Sequence, residues 1–239
     1  MHKSVEQSPW AKILDYIGVE ILPRNYTEKA LSTIGAFVAI MVVYFIANTM
    51  MEPGAAILIV ASMGATAVLL FSLPHAAVSQ PWPVFAGQVL CALIGVFVGK
   101  HVADPLLAAP LAVALCTLFM FFGRCIHPPG AASALTAVFA TDGIREMGYS
   151  FALAPVALNA IVLILMAIAF NAPFAWRRYP SGWHRKQKTK TVSASAAPAI
   201  SHEELVKAVR NFDTFIDISE DDLLKLHQII SNVKSSRNH

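Results

Sequence analysis

Arg124-Cys125-Ile126-His127-Pro128-Pro129-Gly130-Ala131-Ala132-Ser133-Ala134-Leu135-Thr136-Ala137-Val138 is the stretch that decides how this chain folds. It lies between long apolar runs and carries two consecutive prolines. Proline lacks a backbone donor and pushes the residue before it out of helical geometry. In a lipid interior such a break persists only where protein or a water-filled cavity satisfies the freed backbone groups. Transporters build binding sites from interrupted helices with a polar side chain beside them. Here that side chain is His127.

Working outward, the flanks are oily. The chain has 239 residues, of which 56% are hydrophobic and 14% charged, too apolar for an ordinary soluble domain. Between Leu31 and Asn171 the basic residues are Lys100, Arg124 and Arg145, and the acids are Glu52, Asp104, Asp142 and Glu146. A large soluble helical core needs polar faces on its helices, and these runs have none. An all-α, polytopic transmembrane bundle follows.

Apolar runs fall at 31–50, 55–73, 84–102, 106–123 and 150–171. Each is near the ~20 residues that cross a bilayer. A shorter run, 128–141, covers about 20 Å, short of a ~30 Å core. It is a half-helix or one piece of a kinked span. Arg177, Arg178, Arg185, Lys186, Lys188 and Lys190 crowd the end of the last run, and Lys3, Lys12, Arg24 and Lys29 precede the first. Both ends therefore belong in the cytoplasm, which requires an even number of crossings. About six fits, with the short run as a bent span; four crossings plus re-entrant pieces is the alternative.

The chain reads as four regions: a cytoplasmic amphipathic segment over 1–30, a transmembrane domain over 31–175, a basic run and flexible linker over 176–200, and a cytoplasmic helical tail over 201–239. Ile13, Leu14, Ile17, Ile21 and Leu22 give the first segment a face for the membrane surface, a frayed cytosolic arm being the alternative. Residues 1–10 carry no cleavable signal, with no short apolar run before a small-residue site. Ser201-His202-Glu203-Glu204 and Ser219-Glu220-Asp221-Asp222 each open a predicted helix of a small hairpin.

A weak internal similarity is visible, which either a repeat or chance likeness among Gly/Ala-rich membrane helices would give. Ser62-Met63-Gly64-Ala65-Thr66-Ala67-Val68 matches Pro129-Gly130-Ala131-Ala132-Ser133-Ala134-Leu135, and both read as small-residue helix starts. Duplicated units with matching breaks point to a site where they meet. Gly87, Cys91, Gly95 and Gly99 form a stripe of small residues on the third run, which allows close helix packing within the chain or against a second copy.

The stretch from Arg124 to Val138 resembles the signature of the HPP family of integral membrane proteins. So do Gly64-Ala65-Thr66-Ala67-Val68-Leu69-Leu70-Phe71, then Gln80-Pro81 and the glycine-rich third run. Pro155-Val156-Ala157-Leu158-Asn159, Phe170-Asn171 and Arg178-Tyr179-Pro180 are similar to bacterial members, as is Asp217-Ile218-Ser219-Glu220-Asp221-Asp222-Leu223 in the tail. The resemblance spans roughly residues 25–180. One departure is Ala131, where many bacterial members have a second glycine. The resemblance implies a bacterial inner-membrane protein that moves nitrite or another small anion, because relatives in chloroplasts and cyanobacteria are implicated in nitrite transport.

Read on the residues, a helix starting at Pro128 and Pro129 would aim the amides of Gly130, Ala131 and Ala132 at an anion. Gly64, Ala65 and Thr66 would do so from the other half. Ser62, Thr66 and Ser133 would donate hydroxyls, and Arg124 and His127 would supply positive potential. A plainer reading stays open: His127 caps carbonyls freed by the prolines, and Arg124 anchors at the headgroups. Catalysis is not expected, since the chain has no HExxH, no Gly-x-Ser-x-Gly and no close pair of buried carboxylates. His75, His101 and His127 are too scattered for a metal, and Cys91, Cys116 and Cys125 read as free thiols. No metal, cofactor or nucleic-acid partner is expected. The expected partners are the bilayer, a small anion and a second copy through the Gly87/Cys91/Gly95/Gly99 face. The alternative function is a non-transporting sensor or scaffold that uses the helical tail.

Overall fold

The computed structural model describes residues 26–50 and 53–181, together with Trp10 and Ile17. The tail hairpin, the linker and most of the amphipathic segment lie outside these residues.

The described chain is helical. Helix α1 is Tyr26–Met50, α2 Pro53–Ser72, α3 Pro81–His101 and α4 Pro105–Phe122. Helix α5 is Pro129–Val138, α6 is Asp142–Met147, and a π-helical turn, Ala152–Ala157, leads into α7, Leu158–Asn171. Pro53, Pro81, Pro105 and Pro129 each open a helix. A proline is tolerated there because the first-turn N–H has no intrahelical partner to lose. Asp104 adds a cap, accepting from the Leu106 N–H at 3.0 Å. Pro155 falls inside the π turn, where a widened ladder absorbs its missing donor.

The long helices α1 and α4, and α7, carry large apolar side chains on their outer faces. Phe37, Phe45, Leu106, Phe121, Phe122 and Leu165 are exposed. In water such a surface would aggregate; against acyl chains it is solvated. The inward stripes are small: Gly35, Ala39, Val43 and Ala47 on α1, and Ala108, Ala112, Cys116 and Met120 on α4. Small residues four apart let membrane helices approach closely.

Contacts at the ends fix the path. Glu28 pairs with Arg177, and Arg177 donates to the Phe71 carbonyl. Trp82 donates to the Gly123 carbonyl at 3.1 Å, and the Ser181 N–H donates to Gln80 at 3.0 Å. The starts of α1 and α3, and the ends of α2, α4 and α7, therefore share one end of the bundle. At the other end, Lys100 lies 4.6 Å from the Tyr149 ring centroid and Gly99 abuts Ala137. The chain thus passes along the bundle six times, and the fifth passage is broken. Helix α5 has ten residues, about 15 Å, and the irregular stretch 123–128 completes the crossing.

Three expectations need correction. The repeat does not give two matching breaks, because Ser62–Val68 lies inside the unbroken α2. With no proline there, the lone Gly64 costs about 1 kcal/mol and does not end a helix. The glycine stripe is not a face for a second copy: the irregular stretch 123–128 and α5 of the same chain cover it. A Cβ on Gly87 would sit 2.8 Å from the Cys125 oxygen, one on Gly95 2.6 Å from the Ala134 Cα, and one on Gly99 3.2 Å from the Ala137 oxygen. Nor does Arg177 lie exposed at the end of the last run, as its place among the basic residues there suggests. It is 1% exposed, held by Glu28, by Asn171 at 3.0 Å and by Ser32 at 3.2 Å. Burial lowers its pKa, and the Glu28 carboxylate opposes that shift.

Replacing Gly95 by Val is expected to force α3 and α5 apart, at a cost of about 1–3 kcal/mol or more. Gly64→Ala, at a position with nothing within 4 Å of a new Cβ, is expected to be neutral or slightly stabilising. Melting temperatures of the purified proteins check the pair. Arg177→Lys is expected to melt near Arg177→Ala rather than near wild type, because an ammonium cannot reproduce the guanidinium fork.

Candidate functional site: a buried polar network at the broken crossing

Five polar side chains from four segments meet inside the bundle. Ser62 and Thr66 come from α2, Gln88 from α3, His127 from the irregular stretch and Ser133 from α5. Each is at most 1% exposed. Ser62 and Thr66 are four apart and share a helix face. Gly87 and Gly130 bring the backbones together: a Cβ on Gly130 would lie 2.7 Å from the Gly87 oxygen, and one on Gly87 2.8 Å from the His127 Cβ.

The hydrogen bonds order themselves from one fixed point. His127 Nδ1 is 2.8 Å from the Val78 carbonyl, which only accepts, so Nδ1 carries a proton. In the neutral ring Nε2 is then an acceptor, and the Thr66 hydroxyl donates to it at 2.9 Å. Gln88 Nε2 donates to Thr66 Oγ1 at 2.9 Å and to Ser62 Oγ at 3.1 Å. Ser62 donates to the Pro129 carbonyl at 2.9 Å, and Ser133 donates to Gln88 Oε1. Ser62 and Ser133 oxygens also touch at 2.8 Å. Every donor has an acceptor, as a buried polar cluster requires. No carboxylate, lysine or arginine is among the partners.

A second arrangement fits the same heavy atoms. Thr66 Oγ1 is 3.3 Å from the Ser62 carbonyl. If His127 gains a proton, Nε2–H donates to Thr66 Oγ1 and the Thr66 hydroxyl turns to that carbonyl. In that arrangement every hydrogen bond of the cluster would still have a partner. The cluster does not relay that proton onward, because an amide such as Gln88 passes protons poorly.

Four of the side chains singled out in the sequence, Ser62, Thr66, His127 and Ser133, come together here; Gln88, which joins them, was not among those singled out. An uncharged amide in the middle of an apolar span was the available signal. The anticipated cradle of free amides is absent. The Gly130 N–H donates to the His127 carbonyl at 2.9 Å and the Ala131 N–H to the Pro128 carbonyl at 3.1 Å. The amides of Gly64, Ala65 and Thr66 belong to a continuous helix. Arg124 is exposed at the bundle end, with φ 49°, and takes no part. Pro128 is exposed, Pro129 contributes its carbonyl, and Ala131 is half-buried. Among the described residues no three His, Cys, Asp or Glu side chains come together to hold a metal. The three cysteines are buried free thiols.

Comparison with known proteins agrees with this architecture. The family described as "HPP, transmembrane region" matches residues 22–180. A transmembrane protein of Dictyostelium discoideum is 30% identical over 160 residues, covering 65% of this chain and 51% of the relative. A second transmembrane protein of that organism is 31% identical over 129 residues, 52% of this chain and 45% of the relative. The chain thus spans about half the length of the curated relatives it matches. No solved structure matches it. The match covers the whole bundle with its broken crossing, and the chain belongs to the HPP transmembrane family.

Proposed function

We propose that this protein carries a small inorganic anion across the bacterial inner membrane, with nitrite the first candidate, and with both termini in the cytoplasm. The observation that carries the reading is the cluster of neutral donors at the broken crossing. Three hydroxyls and the two N–H groups of Gln88 lie together, with no carboxylate to repel an anion. These groups donate to one another in the closed state. An arriving anion would take over those donors, as water-excluded sites use oriented dipoles to replace hydration. An anion in the cluster would favour a protonated His127 beside it, and that charge would offset the anion's, so anion and proton would move together.

Family membership supports a transport role of this kind. The substrate identity rests on the resemblance and on the donor chemistry. A second reading, a non-transporting scaffold, draws on the complete pairing of the network, which also suits a permanent staple for the broken crossing.

Flux into proteoliposomes separates the two. Nitrite uptake is expected, faster at acid outside pH, and larger than that of chloride or formate. Ser133→Ala is expected to lower it at least about tenfold, as loss of a buried donor to a bound anion does. His127→Gln is expected to abolish the pH dependence. Deleting residues 182–239 is expected to leave flux intact. Folded, oriented protein that moves none of these anions favours the scaffold.

A further inference from the structure

A cavity of about 200 Å³ opens at the end of the bundle away from Tyr26 and Ser181. Val96, Ala137, Val138 and Ile144 give it an apolar back, and Lys100 and Arg145 line it. No carboxylate lines it. Neither cation forms an ion pair among the described residues. Two like charges beside an apolar wall raise the local positive potential more than the same charges in open water.

The Lys100 ammonium is held in place. Its Nζ lies 4.6 Å from the Tyr149 ring centroid, an attraction that leaves the charge unneutralised. Gly148 makes this possible. Its φ of 52° lets the chain turn at that point, and a Cβ there would lie 3.2 Å from Nζ.

The cavity sits on the seam that also holds the buried network. Val96 follows Gln88 on α3 by about 12 Å, and Ala137 follows Ser133 on α5 by about 6 Å. Its volume equals roughly six or seven waters. That admits a small oxyanion with part of its hydration shell.

We propose that this cavity is a capture site for small monovalent oxyanions, held by Lys100 and Arg145, at the end of the bundle opposite Tyr26 and Ser181. Its purpose rests on the transport reading; its binding does not. Purified protein titrated with sodium nitrite or sodium nitrate, at ionic strength held constant with sodium gluconate, tests it by thermal shift. A saturable rise in melting temperature is expected with both oxyanions and none with gluconate. Lys100→Gln and Arg145→Gln, both at exposed positions, are expected to weaken the apparent affinity roughly fivefold or more, while Lys100→Arg retains it. Absence of a saturable shift, or equal shifts in the Gln variants, overturns the proposal. So does a Lys100-dependent shift produced by phosphatidylglycerol alone, which would give the site to lipid. Lys100-dependent binding without any flux would overturn the transport reading and leave this site standing.

Discussion

A membrane crossing made partly of irregular backbone has polar groups that lipid cannot satisfy, and the rest of the bundle is arranged around that constraint. The prolines at 128 and 129 stop the fifth crossing from being one helix. The Pro129 carbonyl is answered by Ser62, and the Gly130 and Ala131 amides turn back on His127 and Pro128. His127 itself reaches the Val78 carbonyl, in the short turn before α3. Each of these groups would cost several kcal/mol if left bare in hydrocarbon.

The close approach that makes this possible comes from what α3 lacks. Gly87, Gly95 and Gly99 let α5 lie against its backbone, and Gly130 does the same in return. With side chains there, Gln88 and Ser133 would be held apart and the network would open. The far end of the seam then widens into the cavity between Lys100 and Arg145. One helix pair therefore positions both the neutral polar centre and the cationic mouth. At the opposite end the segment after α7 closes the bundle, with Arg177 on Glu28 and the Tyr179 hydroxyl donating to Ser79 at 2.9 Å.

Much of the fold was legible because lipid simplifies the code. Runs near 20 residues had to be crossings, and prolines marked where helices begin. His127 stood out as a polar residue beside a break. What stayed hidden depended on partners distant in sequence. Glycines every four residues on α3 announce a close neighbour but not which one, and the neighbour is α5. Arg177 belongs by spacing to a basic run, yet its fate was set by Glu28, nearly 150 residues earlier. Gln88 has no charge and no motif, and its one local signal, an amide inside an apolar span, says nothing of which partners it meets. The small-residue segment in α2 looks like the one in α5, but only the second follows two prolines, and only it starts a helix.

The central claim is that the His127 ring bridges Val78 and Thr66 inside a buried, fully paired cluster. Solid-state NMR of 15N-histidine-labelled protein in lipid tests this directly, with His127→Gln identifying the signals. Near neutral pH the account predicts a proton fixed on Nδ1, an unprotonated, hydrogen-bonded Nε2, and a change at Nε2 when Thr66 becomes Val. A ring with its proton on Nε2, or one exchanging freely with bulk water, would contradict it.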